Sequence, residues 1–146
     1  MTDLDAAAVM SRQGVAPAIT PENAPYWEAA SRNELIVEQC PECGLHIFPP
    51  RGVCRRCHAR GLTWTLVQPP GILRSQTENH NSWLPGATGL YTFGLIEFPT
   101  YSNIRFVGFL TGFAEPPELD TEVGFAFIPT ELGIHRLVIT PCDARD

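Results

Sequence analysis

From residue 71 onward, apolar and polar positions alternate with a period of two, the repeat of a strand with one buried face. Five segments carry it: GILRSQTENH (71–80), GLYTFGLIEF (89–98), NIRFVGFLTGF (103–113), EVGFAFIP (122–129) and GIHRLVIT (133–140). NSWLPGAT, PTYS, AEPPELDT and TEL separate them, and these are built from turn-forming residues. Five strands this short suit a small closed barrel, because closure leaves no exposed edge. Gly94, Gly108 and Gly112, inside the expected strands, fit the tight bends of such a barrel.

Upstream the period changes. In TPENAPYWEAASRNELIVEQC, Thr20 or Asn23 can cap a helix and Pro21 or Pro25 fits its first turn. Tyr26, Trp27, Ala30, Glu34 and Leu35 then predict an amphipathic helix of about two to three turns. A helix this short is marginal alone and must dock, either on its own domain or on a partner. The expected organisation is a flexible arm (1–20), a docking helix (21–39), a cysteine module (40–66) and a strand domain (67–146) that opens at the hinge-like QPPG of 68–71.

Composition narrows the function classes. The 146 residues carry a net charge of −6, which argues against a general nucleic-acid footprint. All ten basic residues are Arg and none is Lys, which fits a GC-rich coding bias first, although Arg is also the better fork for phosphate. No stretch approaches the roughly 18 apolar residues that span a bilayer. The opening MTDLDAAAVMSRQG also lacks the basic start and apolar run of a secretory signal. The expected location is therefore the reducing cytoplasm, with no membrane partner, and there paired cysteines read first as metal or redox sites.

Four of the five cysteines lie in CPECGLHIFPPRGVCRRC, as Cys40-x2-Cys43 and Cys54-x2-Cys57. A pair at this spacing places two thiolates on one side of a tight turn, and two facing turns give the tetrahedral set that zinc prefers. Gly44 can take the positive φ after the first turn, whereas the second is followed by His58. A CxxC redox centre needs only one pair, and disulfides are disfavoured by the compartment. Iron remains an alternative for four thiolates. A site closed by four Cys is structural, so the expected cofactor is one structural zinc per chain. Cys142 reads as a small buried hydrophobe. His46 and His58 could replace a ligand but are not needed, and His80 and His135 read as structural. No Ser-His-Asp arrangement, HExxH motif or phosphate loop appears, so no catalytic residue is assigned.

These features together resemble a known family. A short helix with Tyr26-Trp27-Glu28, two cysteine knuckles with Phe48–Arg51 (FPPR) between them, Trp64 soon after, and a five-strand pattern follow in the family's order. The sequence is similar, over about residues 21–142, to the zinc-ribbon plus OB-fold proteins found with thiolases, thiolase-like lipid-transfer proteins and MaoC-like enoyl-CoA hydratases. The resemblance implies a mainly β fold: a short N-terminal helix, a rubredoxin-like zinc ribbon and a C-terminal five-stranded OB-fold barrel. Cys40, Cys43, Cys54 and Cys57 match the four ligand positions. Two departures stand out: PPGIL keeps only Gly71 of the usual glycine-rich entry into the first barrel strand, and CRRCH replaces the usual second knuckle.

The implied function is a non-catalytic accessory subunit of a thiolase-like acyl-CoA complex that cleaves or forms carbon–carbon bonds, two copies flanking a thiolase-like homodimer. A MaoC-like hydratase is the alternative partner. Arg51, Arg55, Arg56 and Arg60 are expected either to hold CoA phosphates or to form an ordinary solvated face. Tyr26 and Trp27 are expected at the partner interface. Strict alternation places Phe109 and Phe113 opposite Phe106 and Leu110, on a row that a partner would cover. A nucleic-acid-binding role, common to ribbons and OB barrels, is opposed by nine acids against four Arg from residue 71 onward.

Overall fold

The computed structural model describes residues 15–81 and 91–142. Most of the expected arm, the greater part of the NSWLPGAT connection and the first two residues of the second expected strand lie outside the described residues. Asn23 precedes helix α1 (Ala24–Ser31), with Pro25 in its first turn. The helix is shorter than the pattern predicts. Arg32 N–H bonds back to the Ala29 carbonyl and Asn33 turns to φ 60°, a left-handed stop. Glu34 and Leu35 therefore lie beyond it, and the segment expected to extend the helical unit to 39 instead forms strand β1 (Ile36–Gln39).

Strand β1 is the centre of a three-stranded sheet, paired antiparallel with β2 (His46–Ile47) and with β3 (Thr63–Leu66). After the Gln68–Gly71 hinge, five strands close into a barrel: β4 (Gly71–Asn79), β5 (Tyr91–Phe98), β6 (Ile104–Leu110), β7 (Glu122–Pro129) and β8 (His135–Thr140). The order round the barrel is β4-β5-β6-β8-β7, antiparallel except between β6 and β8. The expected strands thus form: 122–129 keeps its bounds, 71–80 loses its last residue, 103–113 its first and last three, and 133–140 its first two.

The barrel interior is apolar, with Leu73, Ile96, Phe98, Phe106, Val123, Phe127, Leu137 and Ile139 buried. Two interior glycines serve space rather than bending. Gly94 and Gly108 sit opposite each other on β5 and β6. A Cβ on Gly94 would lie 2.7 Å from Leu73 Cδ1 and 2.8 Å from Leu110 Cδ1, and one on Gly108 would lie 2.9 Å from Leu137 Cδ2. The pair makes room for leucines to cross the interior. Gly112, expected inside a strand, lies beyond the end of β6 at φ 78°.

The same core runs on into the N-terminal half, taking in Tyr26, Ala30, Leu35, Val37 and Val67. Polar latches reinforce this junction. Phe127 N–H donates to Asn33 Oδ1 (2.8 Å) and Gln68 N–H to the Tyr101 hydroxyl (3.1 Å) across it, while Val67 N–H bonds to the Leu35 carbonyl (2.8 Å) on the N-terminal side. On the barrel's outside, the register shift between Leu73 and Ser75 leaves Arg74 as the extra residue of a bulge. Arg74 and Arg105 both meet the buried Glu97, at 3.0 and 2.7 Å, and Arg74 also reaches Asp120 at 2.7 Å.

Candidate metal centre

Each cysteine pair is built by the same two backbone bonds. In the first knuckle Cys40 N–H donates to the Leu45 carbonyl (2.9 Å) and Gly44 N–H to the Cys40 carbonyl (2.9 Å). In the second, Cys54 N–H donates to the Ala59 carbonyl (2.9 Å) and His58 N–H to the Cys54 carbonyl (3.0 Å). The residue closing each turn is left-handed, Gly44 at φ 73° and His58 at φ 61°. The missing glycine of the second knuckle therefore changes the strain and not the geometry. A non-glycine residue in this region costs on the order of 1 kcal/mol.

The two turns face each other and bring the four Sγ atoms within 4.8 Å of one another. Cys40 Sγ lies 3.5 Å from Cys57 Sγ, and Cys43 Sγ 3.6 Å from Cys54 Sγ. Zinc bonded to sulfur at about 2.3 Å in a tetrahedron sets sulfurs about 3.8 Å apart, so the donor set fits the ion. Backbone amides of Cys57 and then Arg56 hold the Cys54 thiol down to about 6, favouring the thiolate a metal needs. Cys40 and Cys54 are fully buried, Cys43 is half-buried and Cys57 is exposed. Four protein sulfurs complete a tetrahedral shell, so the metal here is a structural zinc.

One residue that sequence reasoning missed supports this centre. Glu38 is only 6% exposed. Its Oε2 accepts Arg51 N–H (2.6 Å) and Gly52 N–H (3.2 Å), and its Oε1 also lies 3.2 Å from Gly52 N. The β1 strand thereby fixes the loop that delivers the second knuckle. The available signal was an acid two residues before the first cysteine, in a strand otherwise apolar at its centre.

His46 and His58 do not join the sulfur cluster among the described residues. His46 Nδ1 and the backbone N–H of His46 both lie 3.1 Å from Ser102 Oγ, and its ring stands edge-on to Tyr101. The His–Ser pair is thus a latch between ribbon and barrel. Burial lowers the His46 pKa. Cys142 is half-buried rather than buried; with Leu66, Val67 and Phe125 it lines a cleft of about 200 Å³ between the sheet and the barrel.

The other predicted residues separate into three groups. Arg51, Arg55, Arg56 and Arg60 are all exposed around the second knuckle, with Arg55 and Arg56 flanking a depression over Leu45. Tyr26, expected at a partner interface, is a core residue instead: it is 7% exposed and its ring meets Phe48 at 5.2 Å and Phe127 at 6.2 Å. The helix docks on its own barrel, and of the pair only Trp27 keeps open surface. Phe109 does lie on the outer row, against Phe93 (5.7 Å) and beneath Arg136 (5.8 Å). Phe113 does not share that row. Strand β6 ends at Leu110, the chain turns at Gly112, and Phe113 packs against the main core.

Comparison with known proteins agrees with this architecture. Residues 27–63 match the family model described as "ChsH2, rubredoxin-like zinc ribbon domain". Across ribbon and barrel the chain is similar to a chain of the solved "Ltp2-ChsH2(DUF35) aldolase", with a TM-score of 0.75, 25% identity, and coverage of 86% of this chain and 98% of that one. It also resembles a protein of unknown function from the DUF35 family of Sulfolobus solfataricus, with a TM-score of 0.59 and coverage of 83% and 85%; at 14% identity that likeness is one of fold. No curated protein sequence matches the chain. The zinc-ribbon plus OB-fold resemblance drawn from the cysteine spacing and the FPPR insert is thereby borne out. No helix among the described residues is long and apolar enough to cross a membrane.

Proposed function

We propose that this chain, of the zinc-ribbon plus OB-fold family, is an accessory subunit of a thiolase-like complex that breaks or makes carbon–carbon bonds beside an acyl-CoA thioester. The observation that carries the reading is the likeness to a chain of an aldolase assembly, because it extends over ribbon and barrel together and not over one common module. The chemistry of the site agrees with it. The four thiolates complete the metal shell, and the His46–Ser102 pair is engaged in joining the two halves. Reaction chemistry then belongs to the partner, and this chain shapes and stabilises the partner's acyl-CoA site. The exposed Arg51, Arg55, Arg56 and Arg60 supply guanidinium forks for the phosphates of CoA. Trp27 and the Phe109 row are the apolar surfaces offered to a partner. A two-fold symmetric partner presents two equivalent docking sites, so two copies of this chain flank it.

The test is turnover of acyl-CoA substrates by a thiolase-like protein of the same organism, with and without this chain. The reading expects carbon–carbon cleavage only when both are present. Paired Arg→Ala changes among the four ribbon arginines should weaken acyl-CoA use and flatten its salt dependence with zinc retained. Full activity of the partner alone, or activation of a MaoC-like hydratase in its place, would refute it.

A further inference from the structure

A groove of about 360 Å³ lies where α1, the FPPR loop and strands β6 and β8 meet. Its buried floor is Tyr26, Phe106 and Leu137, and Trp27, Phe48 and Val107 line its walls. Tyr26 stands edge-on to Trp27 at 5.0 Å, and Phe48 lies 4.3 Å from Phe106 at a 43° tilt, so the aromatic lining is continuous. The cations on its rim are Arg105 and Arg136, and no lining residue is acidic. In a chain of net charge −6 this is a local reversal of sign. Arg105 gives its Nε–H to Glu97 at 2.7 Å, and its side chain is still 57% exposed. Arg136 is half-buried, with its guanidinium 5.8 Å from the centre of the Phe109 ring.

From this juxtaposition we infer a second binding site on the chain, one for a small organic anion with a planar apolar body. An aromatic floor with two guanidiniums at the edge matches such a molecule: the body lies on Trp27 and Phe48, and the charged group meets Arg105 and Arg136. The volume falls at the small end of the range for ligand sites. Two guanidiniums favour a dianion, so a phosphate ester should bind at least as tightly as a carboxylate. Every lining residue belongs to this chain, so the site is tested on the chain without the proposed partner.

The experiment is isothermal titration of the full zinc-loaded chain with 1-naphthyl phosphate, 2-naphthoate and the neutral 2-naphthalenemethanol. The expected result is one site per chain, with the neutral compound at least tenfold weaker than the better anion. The two anions distinguish a phosphate-ester site from a carboxylate site. Val107→Glu puts a carboxylate at an exposed wall position (67% exposed) and should weaken anion binding at least tenfold with zinc content and melting temperature unchanged. Arg136→Gln should act in the same direction. Equal binding of the neutral compound, indifference to Val107→Glu, or no heat from either anion at millimolar concentration would overturn the inference.

Discussion

The knuckle end of the ribbon and the closed barrel are organised by different forces. The knuckles rest on a buried cluster of only Cys40, Leu45, Ile47 and Cys54, and half of that cluster is metal ligand. Their strands are two to four residues long. So little apolar area does not hold a fold by itself, and metal binding supplies the missing free energy. The barrel has strands of six to nine residues, closure that leaves no edge, and an aromatic-rich interior. The lesson is in what each leaves at its surface. A metal fixes irregular loops without asking them to be apolar, so the second knuckle is free to carry arginines. A hydrocarbon core fixes a smooth sheet whose outer rows can be apolar or charged. The β1–β3 sheet joins the two, with Val37 of β1 and the flanking Leu35 and Val67 entering the barrel's core.

The largest expected effect falls on the knuckles alone. Cys54→Ser, or strong chelation, should abolish zinc binding and remove on the order of 10 kcal/mol from the local fold. Hydrogen exchange should show Gly44 and His58 amides losing protection while barrel amides at Ile96 and Ile139 keep theirs; equal loss in both regions would break the division drawn here. The converse is Phe98→Ala in the barrel, expected to cost about 3–5 kcal/mol in denaturant unfolding with zinc still bound at one per chain. Glu38→Ala tests the connection between strand and knuckle. Two amides lose their charged acceptor, so a cost of about 1–3 kcal/mol is expected, with Glu38→Gln less harmful because it keeps an acceptor oxygen.

Smaller effects sharpen the same contrast. The Arg105 hydrogen bond, then that of Arg74, holds the Glu97 carboxyl below its ordinary range. A depressed carboxyl stabilises the fold above its unfolded pKa, and that contribution disappears as pH falls through the folded value. The barrel should therefore lose stability as the medium is acidified below about pH 4, and Glu97→Gln should flatten that part of a melting-temperature profile. The smallest change is a gain. His58→Gly should relieve the left-handed turn of the second knuckle by up to about 1 kcal/mol, read as a raised melting temperature of the zinc-loaded chain.

Much of this was legible in the residues themselves. The ligand set follows from the spacing of four cysteines, because a knuckle is a local turn whose geometry depends on few neighbours. The barrel strands follow from period-two alternation between Pro- and Gly-rich turns. The parts that were hidden depend on distant partners. Ile36–Gln39 continues a helical-looking segment and becomes a strand by pairing along its whole length with Thr63–Leu66, more than twenty residues on, and at its end with His46–Ile47. Glu38 is a charged residue that no pattern marks as buried until the Arg51 and Gly52 amides are seen above it. Tyr26 read as a free aromatic because Phe127, its partner in the core, lies a hundred residues away. Phe113 leaves the row that alternation predicts because the chain turns at Gly112.

The central claim, that this chain works as a zinc-stabilised subunit beside a catalytic partner, is tested most directly by native mass spectrometry of the chain co-expressed with a thiolase-like protein of the same organism. The account predicts one assembly containing two copies of each chain, with one zinc for every copy of this one. A chain that stays separate from the partner while carrying its zinc, and turns over acyl-CoA by itself, would contradict it.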